Sequence, residues 1–277
     1  MLVNLTEILE IAKEKKIALG AFNTPNLTSL KAVIGAAEEL NLPVVIMHAQ
    51  VHEDIGVCNL DDIADLMVLF AKRAKVPVCV HLDHGEDLDY IKRALDLGFT
   101  SVMYDGSTLS GEENIENTKT VVAMARKYGA SVEAEIGSMG SREWEEEKTE
   151  SVFTEPEDAA DFVAKTGVDA LTCAFGTAHG TYTEEPKLDF ERVSNINEAL
   201  NGVPMVMHGG SGISDKDFKE VIKRGIRKVN YYTYMARAGA EAVANKKYTQ
   251  FHDILNDAEI GMKENVKQAM LVFSDVD

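Results

Sequence analysis

The sequence predicts a closed α/β barrel of the (β/α)8, or TIM-barrel, type. Short apolar runs alternate with amphipathic helical patterns from one end of the chain to the other. There are about eight such units, and a length of 277 residues is usual for one barrel of this kind. Alternating strands and helices form parallel sheets because each helix crosses back to the start of the next strand. We therefore expect residues 1–277 to form one barrel domain.

The predicted strands are short and apolar, and glycine or proline stands at most of their junctions with helices. These strands are Ile17–Phe22, Pro43–His48, Pro77–Leu82, Thr100–Tyr104, Ser131–Ile136, Ala170–Ala174, Pro204–Met207 and Lys228–Asn230. Apolar residues three and four positions apart predict helices over Leu27–Leu40, Leu60–Ala74 and Asp158–Thr166. A doubly wound open sheet is the alternative. It is disfavoured because no GxGxxG motif follows the first strand.

Composition and charge exclude several classes of protein. The formal net charge of −18 disfavours nucleic acids and anionic membranes as partners. No apolar run has the length of a membrane span, and the first ten residues lack the pattern of a signal peptide. The three cysteines are an odd set without CxxC spacing, which is typical of reduced thiols. We expect a cytoplasmic protein.

Three histidines each follow an apolar run and precede a glycine. They are His84 in HLDHG, His179 in AFGTAHG and His208 in MVMHGG. The carboxyl ends of all barrel strands share one mouth, so the three imidazoles are expected to converge there. Three protein ligands and one open position are typical of a catalytic zinc site.

Carboxylates accompany these histidines. Asp83 directly precedes His84 and could act as an acid or base, as a hydrogen-bond partner of a histidine, or as the cap of a helix over residues 86–97. Glu133 and Glu135 lie two apart on one strand and therefore share a face. Carboxylates that face a barrel interior need a positive charge nearby, which a metal ion or a salt bridge would supply.

Two segments have the pattern of phosphate-binding sites. Gly209-Gly210-Ser211-Gly212 follows the seventh predicted strand, and Ser214-Asp215 can begin a helix after it. Asn230-Tyr231-Tyr232-Thr233 ends the eighth strand and precedes another helix. Small residues let backbone N–H groups approach an anion, and TIM barrels commonly bind phosphate after strands seven and eight.

Residues 137–155 interrupt the alternation of strands and helices. This segment is rich in Glu, Ser and Gly and contains Trp144. Its length and polarity predict a mobile loop over the mouth of the barrel.

Five motifs, in order, resemble those of the class II, metal-dependent ketose-bisphosphate aldolases: HLDHG, VEAEIG, FGTAHG, MHGGSG and KVNxxT. That family includes fructose-bisphosphate and tagatose-bisphosphate aldolases, and the resemblance runs from AFNTPN at residues 21–26 to the terminal helices. It implies a TIM-barrel aldehyde-lyase of carbohydrate metabolism, such as glycolysis. The implied reaction is the reversible cleavage of a ketose phosphate (fructose 1,6-bisphosphate, tagatose 1,6-bisphosphate or a related ketose 1-phosphate) into dihydroxyacetone phosphate and an aldehyde.

The resemblance also implies roles for individual residues. Zn²⁺, or another divalent metal, would be held by His84, His179 and His208, with Glu135 at an alternative metal position. The implied catalytic residues are Asp83 as acid or base, Glu143 as the loop proton shuttle and Asn230 as a hydrogen-bond donor to the enediolate. Glu145–Glu147 leave the register of the shuttle open. The implied substrate-binding residues are Asn23, Gly180, Gly209, Gly210, Ser211, Asn230, Tyr231, Tyr232 and Thr233. A monovalent cation at the phosphate is possible, and a homodimer or homotetramer is expected.

The sequence departs from the family pattern where a second phosphate would bind. Ala49 replaces the usual serine or threonine, Tyr234 replaces an acidic residue, and His252 aligns with an arginine. A ketose 1-phosphate with a sulfonate or acid tail, such as 6-deoxy-6-sulfofructose 1-phosphate, is therefore an alternative substrate. Such a tail could face Arg142, Arg237 or His52.

Two other functions remain as alternatives. A metal-dependent hydrolase would use zinc-bound water, but it usually carries a paired HxH motif on an early strand, which is missing here. A noncatalytic partner subunit is expected to have lost metal ligands, whereas this chain keeps all three histidines and Asp83.

Overall fold

The computed structural model describes residues 1–137, 152–178 and 186–275, and it confirms the (β/α)8 barrel. Eight parallel strands pair in the order β4-β3-β2-β9-β8-β7-β6-β5, and pairing of β4 with β5 closes the ring. The strands of the described residues are β1 Leu2–Val3, β2 Leu19–Asn23, β3 Val44–Ala49, β4 Val78–Gly85, β5 Ser101–Tyr104, β6 Ser131–Ile136, β7 Ala170–Cys173, β8 Met205–Met207 and β9 Ile226–Asn230.

The amino end of the barrel is closed by the start of the chain. The two-residue strand β1, which is too short to be predicted from the sequence, pairs with β4 outside the ring. Helix α1 (Leu5–Lys15) follows it and buries Leu5, Ile8, Leu9 and Ala12 against the barrel interior. Asn4 caps this helix in a capping box with Glu7. Apolar side chains therefore close the amino end of the barrel, whereas polar residues line the cleft at its carboxyl end.

The remaining helices surround the barrel and bury a continuous apolar layer against it. Their bounds are α2 Leu27–Leu40, α3 Gln50–Asp54, α4 Leu60–Arg73, α5 Leu88–Asp96, α6 Gly111–Ala125, α7 Pro156–Thr166, α8 Phe190–Ala199, α9 Asp215–Lys223, α10 Thr233–Ala244 and α11 Phe251–Ser274. Helix α7 begins two residues earlier than predicted because Pro156 occupies its first turn. Among the described helices, none is long and apolar enough to cross a membrane.

Strand β4 shows how the barrel orients its side chains. Val78, Val80 and Leu82 belong to the apolar layer under the helices, whereas Cys79 contributes to the separate cluster inside the barrel. Alternation along the strand places His81 and Asp83 on the same inner face as Cys79. The strand runs to Gly85 and not to Leu82 as predicted, because Asp83-His84-Gly85 continue the ladder although their composition is typical of a turn.

Candidate active site

Asp83 and His84 both face the carboxyl mouth of the barrel, although neighbours in a regular strand point to opposite faces. The backbone of His84 has a φ of +45°, and the pairing of β4 with β5 shifts register between Leu82 and Gly85. This irregularity turns the imidazole towards the same cleft as the carboxylate. A left-handed backbone at a non-glycine residue costs on the order of 1–3 kcal/mol, and such strain is concentrated at functional sites.

The rings of His84 and His208 meet below this cleft. Nε2 of His84 lies 3.0 Å from Nδ1 of His208. The other nitrogen of each ring is held by a carboxylate: Nδ1 of His84 is 2.6 Å from Asp105 Oδ2, and Nε2 of His208 is 3.0 Å from Glu133 Oε1. Two ligand nitrogens of a tetrahedral zinc ion lie about 3.3 Å apart, and zinc-binding histidines characteristically hydrogen-bond a carboxylate through their second nitrogen. The two residues therefore fit a zinc ion.

Further carboxylates surround the two rings. Glu135 Oε2 is 3.7 Å from Nδ1 of His208 and 4.0 Å from Nδ1 of His84, and Asp83 Oδ1 is 3.9 Å from Nε2 of His84. Burial by itself lowers the pKa of His84, but the carboxylates of Asp83 and Asp105 outweigh it and raise this pKa to about 9. The site therefore favours a positive charge at the position where a metal cation would lie.

Lys228 and Glu133 form an ion pair inside the barrel, beneath the histidines. Nζ of Lys228 lies 3.0 Å from Oε2 of Glu133, and both side chains are fully buried. Thr172 also donates to Glu133, at 2.9 Å. Burial by itself raises the pKa of Glu133, but the charge of Lys228 and the hydrogen bond to His208 hold it well below its usual value. Of the two open interpretations of Glu133, the salt bridge is the one observed.

Two asparagines hold the carboxylate of Asp83. Asn23 Nδ2 donates to one carboxylate oxygen and Asn230 Nδ2 to the other, each at 2.9 Å. Asn230 is oriented in turn by Lys228, which donates to its Oδ1 at 2.7 Å. Burial by itself raises the pKa of Asp83, but the neighbouring histidines and Lys228 outweigh it and keep this pKa below its usual value. The carboxylate is therefore ionised and fixed in orientation.

Glycines and a helix start form one wall of the cleft. Gly209 has a φ of +67°, and a Cβ atom there would lie 2.2 Å from the carbonyl oxygen of Ala178. Gly210 N donates to the carbonyl of Asn230 at 3.1 Å, which ties this loop to the end of β9. Helix α10 begins at Thr233 beside this loop; its N-cap residue Tyr232 gives no side-chain hydrogen bond, and Tyr234 N donates to Ser211 Oγ at 3.5 Å. Exposed backbone N–H groups at a helix start suit an anion such as phosphate.

The cleft has a volume of about 520 Å³ and joins these parts. Its lining includes Asn23, Asp83, His84, Gly209, Gly210, Ser211, Asn230, Tyr231, Tyr232 and Thr233, all of which the sequence predicted for the site. His208 is fully buried beneath the lining. The ring of Tyr231 packs edge-on against Phe22 and Phe273.

Other predicted residues lie outside the described part of the chain or away from the cleft. Glu143, His179 and Gly180, with most of the predicted loop over the mouth, lie outside the described residues. His252 stands on α11 with its side chain 71 % exposed and does not line the cleft of its own chain. The interpretation of Asp83 as a helix cap is wrong, because Asp87 caps α5.

Asp105 was not predicted for the site, and Lys228 was noted only as the flank of a strand. Asp105 follows β5 in the string MYDG, which places an acidic residue between a strand and a glycine, as in HLDHG. That pattern could have indicated it. The position of Lys228 opposite Glu133 depends on the pairing of strands around the ring, which no local pattern specifies.

Comparisons with known proteins find similar sequences and structures over nearly the whole chain. The family model "Fructose-bisphosphate aldolase class-II" matches residues 3–277. The Escherichia coli K12 protein YdjI is 38% identical over 263 residues, covering 95% of this chain and 94% of its own. Fructose-bisphosphate aldolase from Staphylococcus aureus strain Mu50 is 36% identical over 273 residues, covering 96% of this chain and 95% of its own. The crystal structure of the YdjI aldolase superposes with a TM-score of 0.89, 36% identity and coverage of 99% and 97%.

Proposed function

Because the chain belongs to the class II fructose-bisphosphate aldolase family and is an aldehyde-lyase, we propose that it reversibly cleaves a ketose 1-phosphate into dihydroxyacetone phosphate and an aldehyde. The substrates in view are fructose 1,6-bisphosphate, tagatose 1,6-bisphosphate or a related ketose 1-phosphate. The observation that carries the proposal is the pair of imidazoles at 3.0 Å, each backed by a carboxylate, beside a carboxylate fixed by two amides.

The proposed metal is Zn²⁺, held by His84 and His208 together with His179, which lies outside the described residues. Glu135 is close enough to both described rings to provide an alternative metal position. Zinc bound there supplies Lewis-acid polarisation of the ketose carbonyl. Asp105 and Glu133 orient the two rings through their second nitrogens, so that the ligand nitrogens face each other.

Asp83 is the proposed base for cleavage. It takes the proton of the C4 hydroxyl, the C3–C4 bond breaks, C4 becomes the aldehyde carbon, and the electron pair remains on C2–C3 as an enediolate. Protonation at C3 then gives dihydroxyacetone phosphate, and we assign this step to Glu143, which lies outside the described residues. Asn230, whose Nδ2 donates to Asp83, is the proposed hydrogen-bond donor to the enediolate. In condensation the same groups act in reverse.

The C1 phosphate is proposed to bind between the loop after β8 and the start of α10. Gly209 and Gly210 allow close approach of an anion, Ser211 offers a hydroxyl, and α10 begins at Thr233, which lines the cleft. The whole chain has a formal net charge of −18, which repels anions. An anionic substrate therefore needs this local positive potential to bind.

A ketose 1-phosphate without a second phosphate is the second candidate substrate. Ala49, at the position where the family usually carries a serine or threonine, lines the cleft and offers no hydroxyl. His252, the counterpart of the family's arginine, does not reach the cleft of its own chain. Both observations favour a tail that differs from phosphate.

The setting of the enzyme is also part of the proposal. Cys58, Cys79 and Cys173 are free, which suits a reducing cytoplasm. A homodimer or homotetramer is supported by apolar side chains on α11 that are exposed in a single chain, namely Phe251 at 72 % and Ile260 at 56 %. Light scattering with size-exclusion chromatography tests the oligomeric state.

A coupled assay for dihydroxyacetone phosphate tests the function. The purified enzyme is given fructose 1,6-bisphosphate, tagatose 1,6-bisphosphate and several ketose 1-phosphates, before and after a chelator and again after added zinc. We expect release from at least one ketose, loss with the chelator and recovery with zinc. Release of inorganic phosphate without dihydroxyacetone phosphate would favour a hydrolase. No release from any ketose with zinc present would refute the proposal.

A further inference from the structure

Part of the cleft has no role in the reaction proposed above. In that proposal the reacting carbons bind beside Asp83 and His84, and the C1 phosphate binds at Gly209–Ser211 and Thr233. The lining that remains lies between α3 with the residues after it and the first two turns of α10. We call this part the outer groove, and its apolar residues are Val51, Ile55, Val57, Ala236 and Ala240.

The two walls of the outer groove meet beside the reacting centre. The ring of His52, on α3, lies 5.1 Å from the ring of Tyr232, just before α10, and both residues line the cleft. The phosphate and C2–C4 of a bound ketose occupy the phosphate site and the reacting centre. The remaining carbons of the sugar must then extend into the rest of the cleft. The outer groove is continuous with that centre, so it is the place for the tail of the sugar.

Apolar side chains form much of the outer groove. Ile55 and Val57 are 55 % and 51 % exposed, which leaves large apolar side chains uncovered at the rim. A ligand that covers them removes apolar surface from water, whereas a phosphate placed against them loses hydration without a partner. Apolar contacts of this kind select a methyl or methylene group.

Two described residues of the lining could offer a positive charge to the tail. Burial lowers the pKa of His52, so its imidazole is neutral at pH 7, and its Nδ1 is buried without a hydrogen-bond partner. A neutral imidazole offers no charge that would offset the cost of bringing an ionised tail out of water. Arg237 lies over the ring of Tyr234, with Cζ 5.8 Å from the ring centroid, and it is the one arginine or lysine among the described lining residues.

We infer that the outer groove accepts a ketose tail that carries no ionised group and ends in a methyl, so that the preferred substrate is a 6-deoxyketose 1-phosphate. This inference rests on the proposed aldolase function and names the class of its substrate. The net charge of −18 acts in the same direction, because it disfavours a second anionic group far from the phosphate site.

Four ketose 1-phosphates that differ only at C6 test the inference, in the fructose and the tagatose configuration. Their C6 groups are methyl, hydroxymethyl, carboxylate and phosphorylated hydroxymethyl, and kcat/KM is measured for the zinc-loaded enzyme by release of dihydroxyacetone phosphate. We expect the methyl substrate to exceed the hydroxymethyl one by about tenfold and both ionised ones by roughly a hundredfold.

Val57→Thr provides the second arm, because threonine nearly preserves the shape of valine and adds a hydroxyl. It should lower the ratio of methyl to hydroxymethyl kcat/KM by at least about threefold. Val122→Thr on α6, remote from the cleft, is the matched control and should leave the ratio unchanged. An unchanged ratio in Val57→Thr would overturn the placement of the tail.

The other outcomes distinguish failure of this inference from failure of the proposed aldolase function. If kcat/KM is highest for the carboxylate or the bisphosphate substrate, the inference of an uncharged tail is refuted, whereas the aldolase function is supported. If Arg237→Gln then abolishes a preference for the carboxylate, the groove binds an acid tail. If none of the four substrates releases dihydroxyacetone phosphate, the aldolase function and the inference both fail.

Discussion

Lys228 and Glu133 are paired at 3.0 Å in the interior of the barrel, where neither side chain has any exposed surface. The same lysine orients Asn230, which holds Asp83, and the same glutamate orients His208. One buried ion pair therefore supports both the proposed base and a proposed metal ligand. Its two charges depend on each other, because neither could remain in the barrel alone.

Lys228→Met should lower the free energy of unfolding by about 3–5 kcal/mol, since it leaves the carboxylate of Glu133 buried without its partner. Urea denaturation followed by circular dichroism measures this change. The double variant Lys228→Met with Glu133→Gln removes both charges and should recover most of the loss. If the free energy of unfolding of Lys228→Met falls by less than about 1 kcal/mol, the ion pair does not stabilise the barrel to the expected extent.

Asp83→Asn should lower kcat by roughly 10²–10⁴-fold and leave KM for the ketose within a few fold, because an amide cannot accept the hydroxyl proton. The change is measured by steady-state cleavage kinetics. The exposed Asp89→Asn on α5 is the matched control and should keep normal kinetics. Near-normal turnover of Asp83→Asn would contradict the role of this residue as the base.

Asp105→Asn should weaken zinc binding by about 10–100-fold, because the carboxylate orients the imidazole of His84 through Nδ1. Competition with a chromophoric chelator measures the affinity independently of activity. Asp96→Asn, a change at the exposed end of α5, should leave the affinity unchanged. Equal affinities for both variants would argue against Asp105 as the residue that positions the ligand.

Gly209→Ala should lower kcat/KM by about 10–100-fold, because the added Cβ would lie 2.2 Å from the carbonyl of Ala178 and displace the phosphate loop. Gly167→Ala is a matched control for backbone strain. Its φ of +69° is close to the +67° of Gly209, but a Cβ there meets nothing within 4 Å. It should lose stability by on the order of 1 kcal/mol and keep its kinetics. Similar kinetics in the two variants would refute the steric argument.

His48 should make the protein less stable as the pH falls from 6.5 to 4. Burial, followed by the charge of His52, lowers the pKa of His48 to about 4, and Nε2 lies 2.9 Å from the hydroxyl of Tyr90. Between pH 6.5 and 4 the unfolded chain binds a proton that the folded chain does not, so acid favours unfolding. The effect amounts to at most about 3 kcal/mol and is complete below pH 4.

The comparison between wild type and His48→Gln isolates this effect from other titrations. Denaturation curves at pH 7, 5.5 and 4 give the free energy of unfolding of each protein. The wild type should lose more stability than the variant over this range. Equal losses would show that His48 does not titrate differently in the folded and unfolded chains.

Much of this architecture was predictable from local patterns. The period of the apolar residues placed α2 at Leu27–Leu40 with its observed bounds, and the alternation of strands and helices specified the barrel. Composition at strand ends identified Asp83, His84 and His208, because parallel strands must bring their carboxyl ends to one mouth.

Local patterns did not predict the contacts between side chains of different strands across the barrel, on which the proposed function depends. Asp105 reaches His84 from the next strand, and the shift of register in β4 that turns His84 into the cleft has no signature in HLDHG. The apolar part of the outer groove is also a product of assembly, since Val57 and Ala240 are far apart in the chain.

The sequence by itself determined the kind of barrel and the residue types at its mouth, because periodicity and spacing are local properties of a chain, and five of its motifs resembled those of one family. Only the tertiary structure decided that Glu133 pairs with Lys228, that Asn23 and Asn230 share Asp83, and that one end of the cleft is apolar. Those relationships join residues from strands that are remote in sequence, and closure of the ring is what makes them neighbours.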